Sequence, residues 1–171
     1  VWYAPGPVKE EQPDNDARRE VAELIREAFL ASLRPDVIHI SSLFEGYVDD
    51  AITSIGRFDC ANRVSVTLYD LIPLKNPDRY LKPNPLYAEY YNRKIGYLKK
   101  AALYLAISEF SRHEGQTCLD GSESRFVNIL TAVEACFQPL HVDDTVVHQL
   151  YEKFNLSRPF VLYNGGFDER K

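Results

Sequence analysis

A Rossmann-like α/β layer, a parallel sheet with helices on both faces, is the architecture this sequence predicts. Three observations predict it. Short apolar runs recur along the chain, longer amphipathic stretches separate them, and the runs are apolar on both faces, as in strands covered from two sides. Strands that alternate with helices imply right-handed crossovers and therefore a parallel sheet.

The strand runs come in order. Asp36-Val37-Ile38-His39-Ile40 follows Pro35 and ends in Ser41-Ser42. Arg63 to Asp70 is β-branched and breaks before Pro73, and Leu103 to Ser108 follows a helical stretch. Phe126 to Leu130 and Phe160 to Tyr163 complete the set. Among the helices, the first carries Val21, Leu24, Ile25, Ala28, Phe29 and Leu33 at the spacing of one helix face, with Arg and Glu opposite. Asp14 to Asp16 offer its N-caps and Pro35 stops it. A second helix is expected from Pro85 to Ala102, a third from Ser108, and a fourth over 142–154 with Asp143 and Asp144 in its first turn. The stretch Leu71 to Pro85 is rich in proline and poor in apolar periodicity, so it reads as a long loop leaving the C-terminal end of a strand. In open α/β sheets that end is where ligands bind.

Composition narrows the function. The chain has 171 residues, enough for one domain, and is 45% hydrophobic and 26% charged, which is globular composition. A net charge of −5 argues against a dedicated nucleic-acid binder, which needs clustered positive charge. No apolar run approaches the ~18 residues of a membrane span. The opening VWYAPGPVKEEQ lacks the basic and apolar regions of a signal peptide. Methionine is absent, and the chain closes at Arg170-Lys171 just after a hydrophobic run and a glycine pair. Both ends are those expected of a piece excised from a longer polypeptide. Three widely spaced cysteines, Cys60, Cys118 and Cys136, fit neither a disulfide framework nor a zinc site, so a reducing compartment is expected.

No Walker A, GxGxxG, HExxH or GxSxG motif occurs. Candidate residues instead gather at strand ends. His39 lies inside an apolar strand run, where a structural histidine is the ordinary reading. Ser41, Ser42, Phe44 and Glu45 follow it, and together these supply a ring, hydroxyls and a carboxylate suited to a sugar. Tyr69-Asp70 closes a strand; Asp70 either bonds the turn's own amides or orients a hydroxyl-bearing substrate at a cleft rim. Gly165-Gly166 is either a plain strand-end turn or a place where backbone approaches an anion. Arg93, Lys94, Lys99 and Lys100 make the second helix basic, with Tyr87, Tyr90, Tyr91 and Tyr97 beside them. A solvated face with tyrosines on the sheet is the ordinary reading; contact with anionic lipid or an anionic acceptor is the other. Asp143-Asp144 sits at a helix start rather than a strand end, which speaks against a metal site.

Five segments in order carry a family likeness: PDVIHIS (35–41), SVTLYDLIPL (65–74), AISEFSRHE (106–114), LTAVEACFQP (130–139) and FVLYNGGFDERK (160–171). They resemble the N-terminal half of GT-B glycosyltransferases, specifically the retaining group 1 (family 4) enzymes and their mannosyltransferase-like members that build bacterial surface polysaccharide. The resemblance puts His39 on the histidine of the family's PDvvH strand, and Tyr69-Asp70 on its HD pair, with Tyr69 replacing the histidine. It makes His39, Phe44, Glu45, Tyr69 and Asp70 the acceptor-side residues. Ser108 falls on the strand-to-helix serine and Glu134 on an aspartate. Gly165, Gly166 and Lys171 fall on the donor side, where the lysine reaches the donor diphosphate.

The likeness implies a single domain over 1–171, with a donor-binding C-terminal domain beyond it, since no glutamate pair here has the family's E-x7-E spacing. It implies transfer of a hexose, mannose by likeness, from a nucleoside-diphosphate sugar to a glycan or lipid-linked acceptor. No cofactor or metal is expected, and the fragment alone is expected to be inactive. The cytoplasm is the expected location, with peripheral contact at the inner membrane face left open. Two rival readings stand beside it: a non-catalytic scaffolding module of a polysaccharide assembly protein, and a nucleotide-sugar epimerase on the same architecture.

Overall fold

A computed structural model describes residues 2–3, 6–119, 121–139, 141–157 and 160–163. They fall into two compact units, 1–131 and 132–171. The first contains β1 (Trp2–Tyr3), α1 (Asp16–Ser32), β2 (Ile38–Ile40), β3 (Ala51–Ile52), β4 (Val64–Leu68), α2 (Ile72–Lys75), α3 (Pro77–Tyr80), α4 (Pro85–Leu98), β5 (Leu103–Ala106), α5 (Glu109–Cys118) and β6 (Phe126–Asn128). The second contains α6 (Asp144–Phe154).

The main sheet has the order β2-β4-β5-β6 and is parallel throughout. It is the α/β layer expected from the sequence, flanked by helices. Register places His39 opposite Ser65, Val66 opposite Tyr104, and Ala106 opposite Asn128, so all four strands end along one edge. β1 and β3 form a separate antiparallel pair.

Val66, Leu68, Tyr104, Ala106 and Phe126 line the buried face of the sheet, against Tyr90, Tyr91, Ile95 and Leu98 of α4. Tyr104 and Phe126 stack with centroids 4.4 Å apart. Gly115 lets α5 close on this face: a Cβ there would lie 2.6 Å from a Leu68 methyl and 2.7 Å from the Phe126 ring. On the opposite face His39 and Val127 are exposed and Thr67, Leu103 and Leu105 half-buried.

Three expectations change. The run Phe160–Tyr163 forms no strand: it pairs with nothing among the described residues, and Val161 is 98% exposed. The proline-rich stretch after β4 is two short helices rather than a loop. Proline restricts φ and lacks an N–H, so it suits a helix start; Pro77 opens α3 and Pro85 opens α4. The third change concerns α1, which faces the other way round. Val21, Ile25, Phe29 and Leu33 are exposed, whereas Arg19, Glu23, Arg26 and Glu27 are buried.

The reason is that the charged stripe meets complementary groups. Glu27 Oε2 accepts from three successive backbone amides, Arg57 at 2.8 Å, Phe58 at 2.7 Å and Asp59 at 3.1 Å, while Oε1 accepts from the Ser54 hydroxyl at 2.6 Å. Glu23 accepts from the Tyr97 hydroxyl at 2.8 Å and pairs with Arg57 at 3.2 Å. Glu10 pairs with Arg19 at 3.6 Å and with Arg93. A buried charge costs on the order of several kcal/mol unless it is paired or hydrogen-bonded; Glu27 is held by hydrogen bonds, and Glu23 and Glu10 by ion pairs.

The basic helix is corrected for the same reason. Lys94 is 1% exposed and donates to the Thr53 carbonyl at 2.8 Å and hydroxyl at 2.6 Å. Lys100 donates to the Gly56 carbonyl at 3.0 Å. Arg93 and Lys94 thus serve the interior, and α4 presents no continuous cationic face. Burial pushes the Lys94 ammonium down to about 7, against the partial restoring effect of Glu23, whose own carboxyl burial pushes up. None of the described helices is long and apolar enough to cross a membrane.

Two outcomes are expected. Glu27→Ala leaves three amides and a hydroxyl without their acceptor and lowers unfolding free energy by about 3 kcal/mol, with Glu27→Gln costing about half that, read from urea midpoints. The second concerns pH. Unfolded, Lys94 titrates near ~10.4, so between about 7 and 10 the unfolded state binds more protons and stability rises with pH, by at most ~1.4 kcal/mol per unit. Above that range the buried phenols Tyr90 and Tyr97, held above their usual values by burial, reverse the trend. Urea unfolding at pH 7, 8 and 9 checks this, and Lys94→Met removes the rise.

Candidate functional site

The C-terminal edge of the sheet gathers most of the sequence-predicted acceptor residues. Tyr69 and Asp70 leave β4 directly into α2, and both side chains are exposed. Asp70 Oδ1 accepts from the Ile72 amide at 3.1 Å, so the ordinary turn-bonding reading of this aspartate is realised. Oδ1 retains a second lone pair and Oδ2 remains for a ligand hydroxyl.

The backbone around Asp70 is held from α5 on both sides. Ser111 donates its hydroxyl to the Tyr69 carbonyl at 2.6 Å, and buried Glu114 accepts from the Leu71 amide at 2.7 Å. α5 is itself anchored by Ser108, which caps it by accepting from the Ser111 amide at 3.1 Å. Ser108 therefore occupies the strand-to-helix position expected of it. Two bonds flanking one residue leave the carboxylate little freedom to shift along the edge.

A second wall comes from the segment after β2. Glu45 Oε1 accepts from the Ser42 hydroxyl at 2.6 Å. Phe44 stacks on Tyr91 with centroids 5.0 Å apart and planes at 26°. Tyr47 meets Tyr87 and Tyr90, each at 5.1 Å, and its hydroxyl accepts from Asn84 at 3.2 Å. Gly46 follows at φ 97°, where a side chain would be strained and would strike the Ala51 carbonyl. Tyr91 links the two walls: besides stacking on Phe44, its phenol is held above the usual range by burial first, with the charges of Asp70 and Glu114 adding to it. Rings and carboxylates on one rim suit a pyranose, whose faces stack and whose hydroxyls donate.

His39 stands apart. Its Nδ1 lies 2.9 Å from the Ser65 hydroxyl and its Nε2 3.2 Å from Thr67 Oγ1, so both ring nitrogens bond across to β4. Cross-strand register alone explains its place, and the ring lies on the sheet face rather than at the edge. Glu134 is exposed in the second unit and takes a weak bond from Cys136 at 3.7 Å. Asp143 caps α6 through the Thr145 amide at 2.8 Å. Gly165, Gly166 and Lys171 lie outside the described residues. Among the described residues no cluster of three His, Cys, Asp or Glu could hold a metal, and Cys60, Cys118 and Cys136 form no disulfide. The aromatic wall was legible as Tyr87, Tyr90 and Tyr91, one helix face by spacing. Ser111 and Glu114 share a face too, but their partners lie more than forty positions away, at separations of 42 and 43.

No family model matches the chain, and no solved structure does. Curated relatives include proteins described as serotype-specific mannosyltransferase WbdA from Escherichia coli. One is 30% identical over 158 residues, 92% of this chain and 19% of its own length; two more are 28% identical over 171 residues, 100% of this chain and 21% or 20% of theirs. The chain thus spans about one-fifth of the relatives it matches. Essentially its whole length is homologous to a segment of these mannosyltransferases, and the glycosyltransferase likeness carried by its five motifs is borne out.

Proposed function

We propose that this chain is the acceptor-binding half of a retaining glycosyltransferase, moving a hexose, mannose by likeness, from a nucleoside-diphosphate sugar to a glycan or lipid-linked acceptor. The observation that carries it is exposed Asp70, its backbone clamped from α5 at the C-terminal edge of a parallel sheet, with half-buried Phe44 in the segment after β2. The named activity of the homologous proteins supports the same reading.

In this reading a sugar ring of the acceptor rests against the aromatic wall, and Asp70 and Glu45 accept from its hydroxyls. Holding the attacking oxygen in one place removes orientational entropy from the barrier, a contribution of up to several kcal/mol, roughly. Neither carboxylate acts as base, because the departing phosphate takes the proton. Lys171, carried over from the family's motif, neutralises the leaving diphosphate together with helix N-termini of a donor-binding domain. No metal takes part. Closure of the two halves excludes water and so protects the donor from hydrolysis. The reaction runs in the cytoplasm, at the inner membrane face where the acceptor is lipid-linked.

The test uses the longer polypeptide that carries this segment, incubated with GDP-, UDP-, ADP- and dTDP-sugars and lipid-linked oligosaccharide, with nucleotide release followed. Asp70→Asn is expected to lower kcat/KM for the acceptor at least about tenfold, equivalent to ~1.4 kcal/mol of transition-state binding. Glu114→Gln, which touches only backbone, lowers it by a smaller factor through displacement of Asp70. Absence of release from a folded polypeptide with every donor would favour the scaffolding reading.

A further inference from the structure

A cavity of about 220 Å³ opens between α1 and the end of β2. Arg26 and Phe29 of α1 contribute to its wall, with His39 and Ile40 of β2 and Ser41 and Ser42 just beyond. It is smaller than the ~300–1,000 Å³ of drug-sized pockets, so it takes a single ring with a substituent rather than a chain.

Among the described residues of the lining, Arg26 is the one permanently charged side chain and no carboxylate occurs. Arg26 is 9% exposed, and of its five N–H groups one bonds a described residue, Nη1 to the Ser54 carbonyl at 3.3 Å. No ion pair within 4.0 Å engages it among the described residues, although Glu23 and Glu27 act on it from farther off. Burial holds its pKa below the ordinary arginine value, the mark of a cation whose hydration has been replaced incompletely. Around it stand a half-exposed phenyl ring, Phe29, and the Ser41 hydroxyl, which is exposed and without a recorded partner. Thr53, also in the wall, is already satisfied by Leu43 and Lys94 and offers shape alone.

We infer that this cavity is a subsite for an oxyanion borne on a pyranose ring, with Arg26 as the planar donor to the anion, Ser41 bonding beside it, and Phe29 packing on the sugar. Guanidinium geometry matches carboxylate and phosphate through paired N–H donors. The inference rests on the acceptor-side reading of this sheet edge, and it gives that acceptor a chemistry: an acidic or phosphorylated sugar. Ser42, bonded to Glu45, joins the cavity to the site at the rim.

Titration of the chain followed by backbone amide NMR tests it, with mannose 6-phosphate, glucuronate, inorganic phosphate and neutral mannose as separate probes. The phosphorylated or acidic sugar is expected to bind at least tenfold more tightly than mannose, shifting the Ser41 and Ser42 amides, and inorganic phosphate alone to bind more weakly than the sugar phosphate. The first two probes show which oxyanion is preferred. Arg26→Gln abolishes the preference. Ser41→Asp, an exposed substitution that leaves the interior untouched, also abolishes it and decides the matter should Arg26→Gln unfold. Equal affinity for mannose and both anionic sugars, or a preference that survives Ser41→Asp, overturns the inference. Because the readout is binding, loss of transfer in the longer polypeptide and loss of this subsite are separate results.

Discussion

One carboxylate organises the first unit. Glu27 receives three consecutive amides of the 57–59 turn on a single oxygen and the Ser54 hydroxyl on the other. Successive backbone N–H groups form a concavity with positive potential, and here a side chain of the same chain fills it. That bond set determines which way α1 faces. Once Glu27 points inward, Arg19, Glu23 and Arg26 on the same stripe must follow, and each needs a counterpart. Arg57 and Tyr97 serve Glu23 and Glu10 serves Arg19, while Arg26 has only the Ser54 carbonyl. The cavity beside Arg26 exists because this stripe, rather than the apolar one, was turned toward the sheet.

Strands β2, β4, β5 and β6 were legible because a buried strand in a parallel layer needs little but apolar side chains, and Val64 to Leu68 or Leu103 to Ala106 advertise that directly. Phe160 to Tyr163 has the same composition and forms no strand, since a ladder requires a partner that composition does not reveal. The orientation of α1 was not legible for a related reason. Periodicity identifies two stripes; assigning the apolar one to the interior assumes that the charged one finds no partners there. The partners of Glu27 lie 27 to 32 residues away. At the site, Tyr69-Asp70, Phe44 and Glu45 could be read from strand-end position. The clamp could not, because Ser111 and Glu114 act on backbone amides and carbonyls that every residue possesses.

The PDVIHIS and SVTLYD segments place their strands side by side, and the histidine in the first is consumed by the hydroxyls of the second. Substitution of tyrosine at position 69 therefore removes no bond that His39 makes. It changes only what stands exposed at the rim, where a phenol still donates and accepts.

The polar attachment of α1 also sets how its docking responds to temperature. Heat capacity rises when apolar surface meets water and falls when polar surface does. Undocking a helix held by carboxylate, guanidinium and amide contacts changes it far less than opening the Val66–Tyr104–Leu98 interior. On cooling, hydrophobic cohesion of the sheet fades while the hold on α1 barely alters; on warming toward denaturation the order of resilience is reversed. The helix α1 and the sheet interior are thus fastened by forces with opposite thermal habits.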